Sequence, residues 1–101
     1  MHIRQLRQCI QSEQYQLSLH AQKERYLDEV SVDDIEEALF NGEILEDYPE
    51  DPRGASCLVL GYSHNRPIHV VCTIMPSGLM RVITVYIPRK PKWVTPKQRR
   101  E

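Results

Sequence analysis

The sequence has no long apolar segment, only four glycines and only three cysteines, and these shortages argue against several classes of protein. Its apolar runs are far shorter than the roughly 20 residues that a membrane-spanning helix needs. No apolar segment of the signal-peptide type opens the chain. The cysteines lack the Cys-x-x-C spacing, which argues against a zinc finger, and their odd number argues against a disulfide framework. We therefore expect a soluble, cytoplasmic protein with no membrane partner.

What is present is enough for one small domain. At 101 residues, of which 41% are hydrophobic, the chain can build one modest core. We expect a single domain over residues 1–101, existing as a monomer or a small homo-oligomer. Its expected parts are a helical region over residues 1–42, a sheet over residues 43–88 and a basic C-terminal tail over residues 89–101.

The two signs of charge are segregated along the chain. Of the 14 acidic residues, 12 lie between Glu24 and Asp51, whereas nine bases and a single acid, Glu101, follow from Pro52 onward. If the bases gather on one surface, that surface would attract an anionic partner such as RNA. The alternative is a solvated acidic helix face and a solvated basic tail. Composition alone supports the two interpretations equally.

Three helices are predicted in the first 42 residues. Apolar residues recur near helical spacing, and the side chains of Ser18 and Ser31 are suited to cap two of the helices. Gly42 is expected to end the third helix in the left-handed conformation. The predicted helices cover residues 2–12, 19–28 and 32–41.

The second half of the sequence is rich in β-branched residues. A short first strand is expected near Ile44, and two hairpin turns are expected to centre on His64-Asn65 and Ser77-Gly78. The fold class is therefore α+β, with two or three N-terminal helices packed on one face of a four-stranded, mainly antiparallel sheet. The longer predicted strands cover residues 57–62, 68–74 and 80–87.

The two turn centres fix the strand register by counting, and alternation then assigns each side chain to a face. His69 is predicted directly across from Tyr86 on the solvated face, with Thr84 one step along. Val82 falls on this solvated face and Ile83 on the face that the helices cover. A His-Tyr contact of this kind is more often structural than catalytic, because a histidine in an apolar strand needs a hydrogen-bond partner. Any function carried by the sheet is expected on this solvated face.

His20 and Glu24 lie one helical turn apart on one face of the second predicted helix. The carboxylate could orient the imidazole and raise its pKa for acid-base chemistry, the pair could begin a metal site, or it could be an ordinary surface pair. Spacing alone favours the surface pair. Further metal ligands would have to come from the distant His64 or His69, so we expect no metal and no cofactor.

Several ordered motifs carry a resemblance to a known family: His20-Ala21, Gly42-Glu43-Ile44, the run from Arg53 to Gly61, the run from Arg66 to Val71, the run from Ile83 to Tyr86, Pro88 and Trp93. The sequence resembles, over about residues 15–99, a bacterial domain-of-unknown-function family that has a histidine-alanine helix motif. That family is similar to RelE-like and MqsR-like toxins and to the wider barnase, EndoU and colicin ribonuclease fold. The resemblance implies helices packed on one face of an antiparallel sheet.

The resemblance also implies metal-free RNA cleavage, with RNA and an antitoxin-like protein as partners. In such a reaction a base takes the ribose 2′-hydroxyl proton, a cation stabilises the phosphorane and an acid protonates the leaving oxygen. His20 or His69 would be the base or the acid, and Tyr86 a donor or a stacking surface. The candidate catalytic residues are His20, His69, Tyr86, Thr84 and Glu24. The candidate phosphate-binding cations are Arg25, Arg66, Arg89 and Lys90.

A second hypothesis is a non-catalytic protein-interaction or small-ligand-binding module. In that case the acidic third helix, with Asp33, Asp34 and Glu37, or an exposed sheet edge would dock another protein. Salt-dependent RNA binding would separate the two hypotheses.

Overall fold

A computed structural model describes residues 1–100 as three helices and seven strands. In chain order the elements are α1 (Ile3–Gln11), β1 (Tyr15–Leu17), α2 (Leu19–Leu27), α3 (Val32–Asn41), β2 (Glu43–Tyr48), β3 (Ser56–Ser63), β4 (Arg66–Ile74), β5 (Met80–Tyr86), β6 (Trp93–Thr95) and β7 (Gln98–Arg99). The main sheet has the order β1-β5-β4-β3-β2, and β6 pairs with β7 in a separate hairpin. The predicted α+β class and mainly antiparallel sheet are confirmed. Among residues 1–100, every helix is too short or too polar to cross a membrane.

The main sheet has five strands, not the four predicted. The additional strand, β1, pairs parallel with β5, so that Tyr15 lies beside Met80 and Leu17 beside Val82. Three residues are too few for alternation of polar and apolar side chains to reveal a strand. The sequence predicts one uninterrupted helical region at the N-terminus. This is wrong, because β1 lies between α1 and α2.

Serine side chains begin α2 and α3 as predicted. Ser18 Oγ accepts a hydrogen bond from the first turn of α2 at 3.0 Å, and Ser31 Oγ accepts one from Asp34 N at 3.0 Å. The prediction of a left-handed Gly42 is wrong, because its φ of −81° and ψ of 174° are extended. Gly42 serves close packing instead: a Cβ there would lie 2.5 Å from the carbonyl oxygen of Ala38.

The core lies between the helices and one face of the main sheet. Its fully buried residues include Leu6, Ala21, Ile35, Ala38, Leu39, Val59, Ile68, Val70, Met80, Val82 and Val85. The tightest contact is between α3 and β3, where a Cβ on Gly61 would lie 1.9 Å from the Ala38 carbonyl oxygen. The helix backbone therefore rests directly on the strand backbone.

The turn between β3 and β4 has the predicted centre. His64 and Asn65 have φ values of 52° and 62°, so both are left-handed. Two successive left-handed residues suit the right-handed twist of a tight hairpin. The ladder then runs without interruption and places Leu60 opposite His69.

The predicted turn centre at Ser77-Gly78 is wrong: Met75 N donates to the Leu79 carbonyl at 2.8 Å, so the turn is centred on Ser77, and a bulge in β5 compensates for the shift. Ile74 pairs one residue earlier in β5 than expected, and Ile83 has no partner in β4. Beyond this bulge, His69 pairs with Tyr86 as predicted. Val82 is moved into the core, so its predicted place on the solvated face is wrong. Ile83 is only partly buried, rather than covered by the helices.

The C-terminal tail, which is predicted from the sequence only as a basic segment, folds back over the sheet. Trp93, at the start of β6, is only 2% exposed, and its ring centroid lies 4.3 Å from that of His69. Arg99 packs over the Trp93 ring at 4.5 Å and pairs with Glu46 of β2 at 2.8 Å. The β6–β7 hairpin therefore covers part of the sheet face opposite the helices.

The carboxylate of Asp34 ties α3 to the turn between β3 and β4. It accepts hydrogen bonds from Ser63 Oγ at 2.6 Å and Arg66 Nη2 at 3.2 Å, and it lies 3.0 Å from His64 Nδ1. Hydrogen bonds from Ser63 above all, and also from Ser31 and His64, hold the pKa of Asp34 well below its usual range although burial opposes them. Asp34 therefore remains ionised in the folded protein.

Asp34→Asn is expected to lower the free energy of unfolding at pH 7 by about 2–4 kcal/mol, because buried donors lose a charged acceptor. The folded-state pKa lies below the unfolded one. The stabilisation is therefore complete above about pH 4 and is lost as the pH falls toward the folded value. Urea denaturation at pH 7 and pH 3 measures how far the free energy of unfolding falls between these two pH values. This fall should be larger for the wild type than for the variant. The exposed Asp33→Asn is the matched control, and equal losses for wild type and Asp34→Asn would contradict the prediction.

Candidate functional site

Two grooves meet at the open edge of β5. The first has a volume of about 440 Å³ and is lined by His20, Glu24, Thr84, Tyr86, Ile87, Arg89, Lys92 and Trp93. The second has a volume of about 430 Å³ and is lined by Ser18, His20, Arg53, Thr73, Arg81, Ile83 and Thr84. His20 and Thr84 line both grooves, so the two form one continuous path, which we call the His20 cleft. Four of the five predicted catalytic residues, His20, Glu24, Thr84 and Tyr86, line this cleft.

Two carboxylates, one in α2 and one on its C-cap residue, hold the helix against the edge of β5. The partner strand β1 ends at Leu17, which leaves the later N–H groups of β5 without a strand neighbour. Glu24 Oε1 accepts a hydrogen bond from Val85 N at 3.1 Å, and Asp28 Oδ2 accepts one from Ile87 N at 2.8 Å. Four residues of helix and two residues of strand both advance by roughly 6 to 7 Å, so the two spacings match. The carboxylates replace a missing strand.

His20 belongs to the same face of α2, one turn before Glu24. Its side chain is 66% exposed, and Nε2 lies 3.2 Å from Glu24 Oε1. When Nε2–H donates to this carboxylate, Nδ1 carries the free lone pair and can accept a proton. The carboxylate then lies beside the positive charge that the ring gains. The pair is therefore more than a surface contact, because Glu24 is fixed by the backbone of β5.

His69 lies beside Tyr86 as predicted, but the expectation that it faces solvent is wrong. It is 0% exposed beneath the C-terminal hairpin. Its Nδ1 lies 3.2 Å from the Tyr86 hydroxyl oxygen, and its Nε2 lies 2.7 Å from the carbonyl oxygen of Pro96. Burial lowers the pKa of His69. The bond to Pro96 and the nearby Glu46 raise this pKa, but their effect is smaller than that of burial. His69 can influence the cleft only through the residues above it.

Tyr86 and Trp93 form the part of the cleft that lies over His69. Burial raises the pKa of Tyr86, although a contact with Trp93 opposes the shift, so the phenol is protonated at neutral pH. The indole Nε1 of Trp93 is buried and makes no hydrogen bond to any of residues 1–100. Buried indole N–H groups usually have a partner.

Arg25 and Arg66 do not reach the cleft, contrary to expectation. Arg25 lies on another side of α2, where its Nε donates to Gln22 at 2.7 Å. Arg66 Nη2 donates to the Glu29 carbonyl at 3.0 Å and to the Asp34 carboxylate at 3.2 Å. Both guanidinium groups are used to stabilise the end of α2 and the loop that follows it.

Other cations line the cleft. Of the predicted ones, Arg89 lines the first groove and pairs with Asp28 at 3.1 Å, whereas Lys90 lines neither groove. The remaining three, Arg53, Arg81 and Lys92, were not predicted. The position of Arg81 could be predicted only if the bulge in β5 were known. The position of Lys92 could be predicted only if it were known that the tail folds back over the sheet. Within residues 1–100, the acidic and thiol side chains form no cluster with histidine suited to a metal ion.

The fold and the cleft define a small α+β protein with a histidine-carboxylate pair at the open edge of its sheet. The chain belongs to the family described as Domain of unknown function (DUF4258), which matches residues 17–87. The expectation of a domain-of-unknown-function family is thereby confirmed. The match includes His20, Glu24 and the pairing of β4 with β5, whereas α1 and the β6–β7 hairpin lie outside it. No curated protein and no solved structure matches the chain.

Proposed function

We propose that this protein acts on RNA as a RelE-like, metal-independent endoribonuclease with His20 as its general base. The observation that carries the proposal is the position of His20. It is exposed where two grooves meet, its Nε2 is held by Glu24, and cations line the path on both sides. An exposed base in a positively charged path suits a polyanionic substrate.

The charges of the cleft favour a polyanion. Among residues 1–100, four cations line the two grooves: Arg81, Lys92, Arg53 and Arg89, of which Arg53 pairs with Asp51 and Arg89 with Asp28. Glu24 is the one acid of the described part of the chain that lines either groove, and its carboxylate is already engaged by His20 and by the backbone of β5. Cations on both sides of His20 would bind the phosphates that precede and follow the one attacked.

The chemistry follows from the free nitrogen of His20. Nδ1 takes the proton of a ribose 2′-hydroxyl, and the 2′-oxygen attacks the adjacent phosphorus. The 5′-oxygen leaves and takes a proton from solvent, since the cleft is open. The products end in a 2′,3′-cyclic phosphate and a 5′-hydroxyl. Arg81 and Lys92, both exposed in the cleft, would stabilise the negative charge of the phosphorane.

Binding of a single-stranded RNA oligomer in chelator is expected to depend on the cations of the cleft. The measurement is fluorescence anisotropy across a salt series, in a His20→Ala background so that the RNA stays intact. The Arg81→Gln/Lys92→Gln variant should bind about tenfold more weakly and show a shallower salt dependence, because fewer counterions are released. Arg25→Gln carries the same kind of charge change outside the cleft and should bind like its parent. Equal losses of RNA affinity in both variants would contradict the proposal that RNA binds along the cleft.

A second candidate function, binding of an antitoxin-like or other protein, is favoured by the outward face of α2. Leu19, Tyr26 and Leu27 are 73%, 81% and 79% exposed on this nine-residue helix. Exposed apolar side chains gathered on one helix mark a protein-binding surface. Absence of salt-dependent RNA binding in the experiment above would favour this candidate over the nuclease.

A further inference from the structure

One buried hydrogen bond fixes the tautomer of His69. The carbonyl oxygen of Pro96, 2.7 Å from Nε2, can only accept, so Nε2 must carry the hydrogen. Burial favours the neutral ring, which has one N–H group. Nδ1 therefore holds a lone pair and acts as an acceptor.

The tautomer of His69 in turn fixes the hydroxyl group of Tyr86. The Tyr86 oxygen lies 3.2 Å from Nδ1, and an acceptor there requires that Tyr86 donate. A phenol has a single hydrogen, so none remains for a ligand in the cleft. The oxygen of Tyr86 can still accept a hydrogen bond through its lone pairs from a ligand in the first groove. Tyr86 is therefore an acceptor in this part of the cleft.

We infer that Tyr86 accepts a hydrogen bond from the 2′-hydroxyl of the RNA nucleotide next to the one that is cleaved, and that His69 is the positioning residue that enforces this direction. The inference rests on the proposed function and deepens it. The 2′-hydroxyl is the donor that distinguishes RNA from DNA. A phosphate oxygen, which cannot donate, is excluded from this position. The cleft thus selects ribose through a side chain that is not its base.

The test compares binding of three oligomers of one sequence, made of RNA, DNA and 2′-fluoro RNA, in the His20→Ala background with chelator. The 2′-fluoro oligomer keeps the sugar conformation of RNA but lacks the donor. The parent protein should bind RNA about fivefold more tightly than 2′-fluoro RNA, the effect of one neutral hydrogen bond. When Tyr86→Phe is introduced into the His20→Ala protein, this ratio should fall to about one. Added His69→Phe should reduce it below about twofold, because the hydroxyl hydrogen is free to turn toward the cleft.

The outcomes separate the inference from the proposed function. RNA binding with a ratio near one in the parent would overturn the inference and leave the nuclease proposal standing, whereas no RNA binding by any form would overturn both. An unchanged ratio in Tyr86→Phe would also overturn the inference. Thermal denaturation tests whether His69→Phe is folded. If it is folded and its binding ratio is unchanged, the positioning role of His69 is contradicted. Tyr86→Phe, which keeps the ring, tests the inference even if His69→Phe does not fold.

Discussion

His20→Ala is expected to lower the rate of RNA cleavage in the presence of a metal chelator by about 10²- to 10⁴-fold, the usual contribution of a general base. Of the four histidines, His20 alone lines the cleft. Its loss leaves no other imidazole among the residues that line the cleft. The measurement is the time course of cleavage of an end-labelled RNA, with identification of the 2′,3′-cyclic phosphate at the new end.

His64→Asn is the matched control for this prediction. His64 is also an exposed histidine, but it lies in the turn between β3 and β4 with a φ of 52°, a conformation that asparagine tolerates. Its cleavage rate should equal that of the wild type. Equal rates for His20→Ala and the wild type would contradict the role of His20, and no cleavage by the wild type would end the catalytic proposal.

Gly61→Ala is expected to have the largest effect on stability, costing more than about 4 kcal/mol or preventing folding altogether. The added Cβ would lie 1.9 Å from the carbonyl oxygen of Ala38 and 2.6 Å from its Cα. Both are backbone atoms of α3, so the helix would have to leave the sheet. Urea denaturation, followed by the fluorescence of the buried Trp93, measures the change in the free energy of unfolding.

Gly54→Ala separates this packing effect from the general cost of replacing a glycine. A Cβ on Gly54 would meet only Thr73 Oγ1, at 3.6 Å, but its φ of +108° is unfavourable for alanine. The expected cost is about 1–3 kcal/mol, from backbone strain alone. A Gly61→Ala protein as stable as Gly54→Ala would contradict the direct contact between α3 and β3.

Features set by neighbouring residues could be predicted from the sequence. The caps at Ser18 and Ser31 and the turn at His64-Asn65 depend on local backbone chemistry, and all three are present. The opposition of His69 and Tyr86 was also predicted correctly. It holds because the displaced turn centre, at Ser77, and the bulge in β5 shift the register in opposite directions.

Features set by distant residues could not be predicted. β1 is a strand only because β5 lies beside it, and the tail covers His69 only because Trp93 and Pro96 find partners on the sheet. The solvated surroundings expected for His69 were wrong for this reason. Burial depends on what a remote segment covers, which strand alternation does not report.

The candidate site was predicted in part. Helical spacing placed His20 and Glu24 on one face, and that pairing is present at 3.2 Å. Spacing could not show that this face lies against an open strand edge, which is what fixes Glu24. The cations were harder to predict, because an arginine in a strand or loop has no local signal for the surface it will reach. Arg66 lies away from the cleft, and Arg81, which was not selected, lies in it.

The parallel pairing of β1 with β5 has a consequence for how the protein is made. The ribosome releases Tyr15–Leu17 long before Met80–Val82, the segment that β1 must pair with. The edge that carries His20 is therefore assembled only after β5 has emerged, and the hairpin over His69 follows later still. A nascent chain that still lacks β5 has no cleft, so whatever activity the cleft holds cannot appear before β5 has left the ribosome.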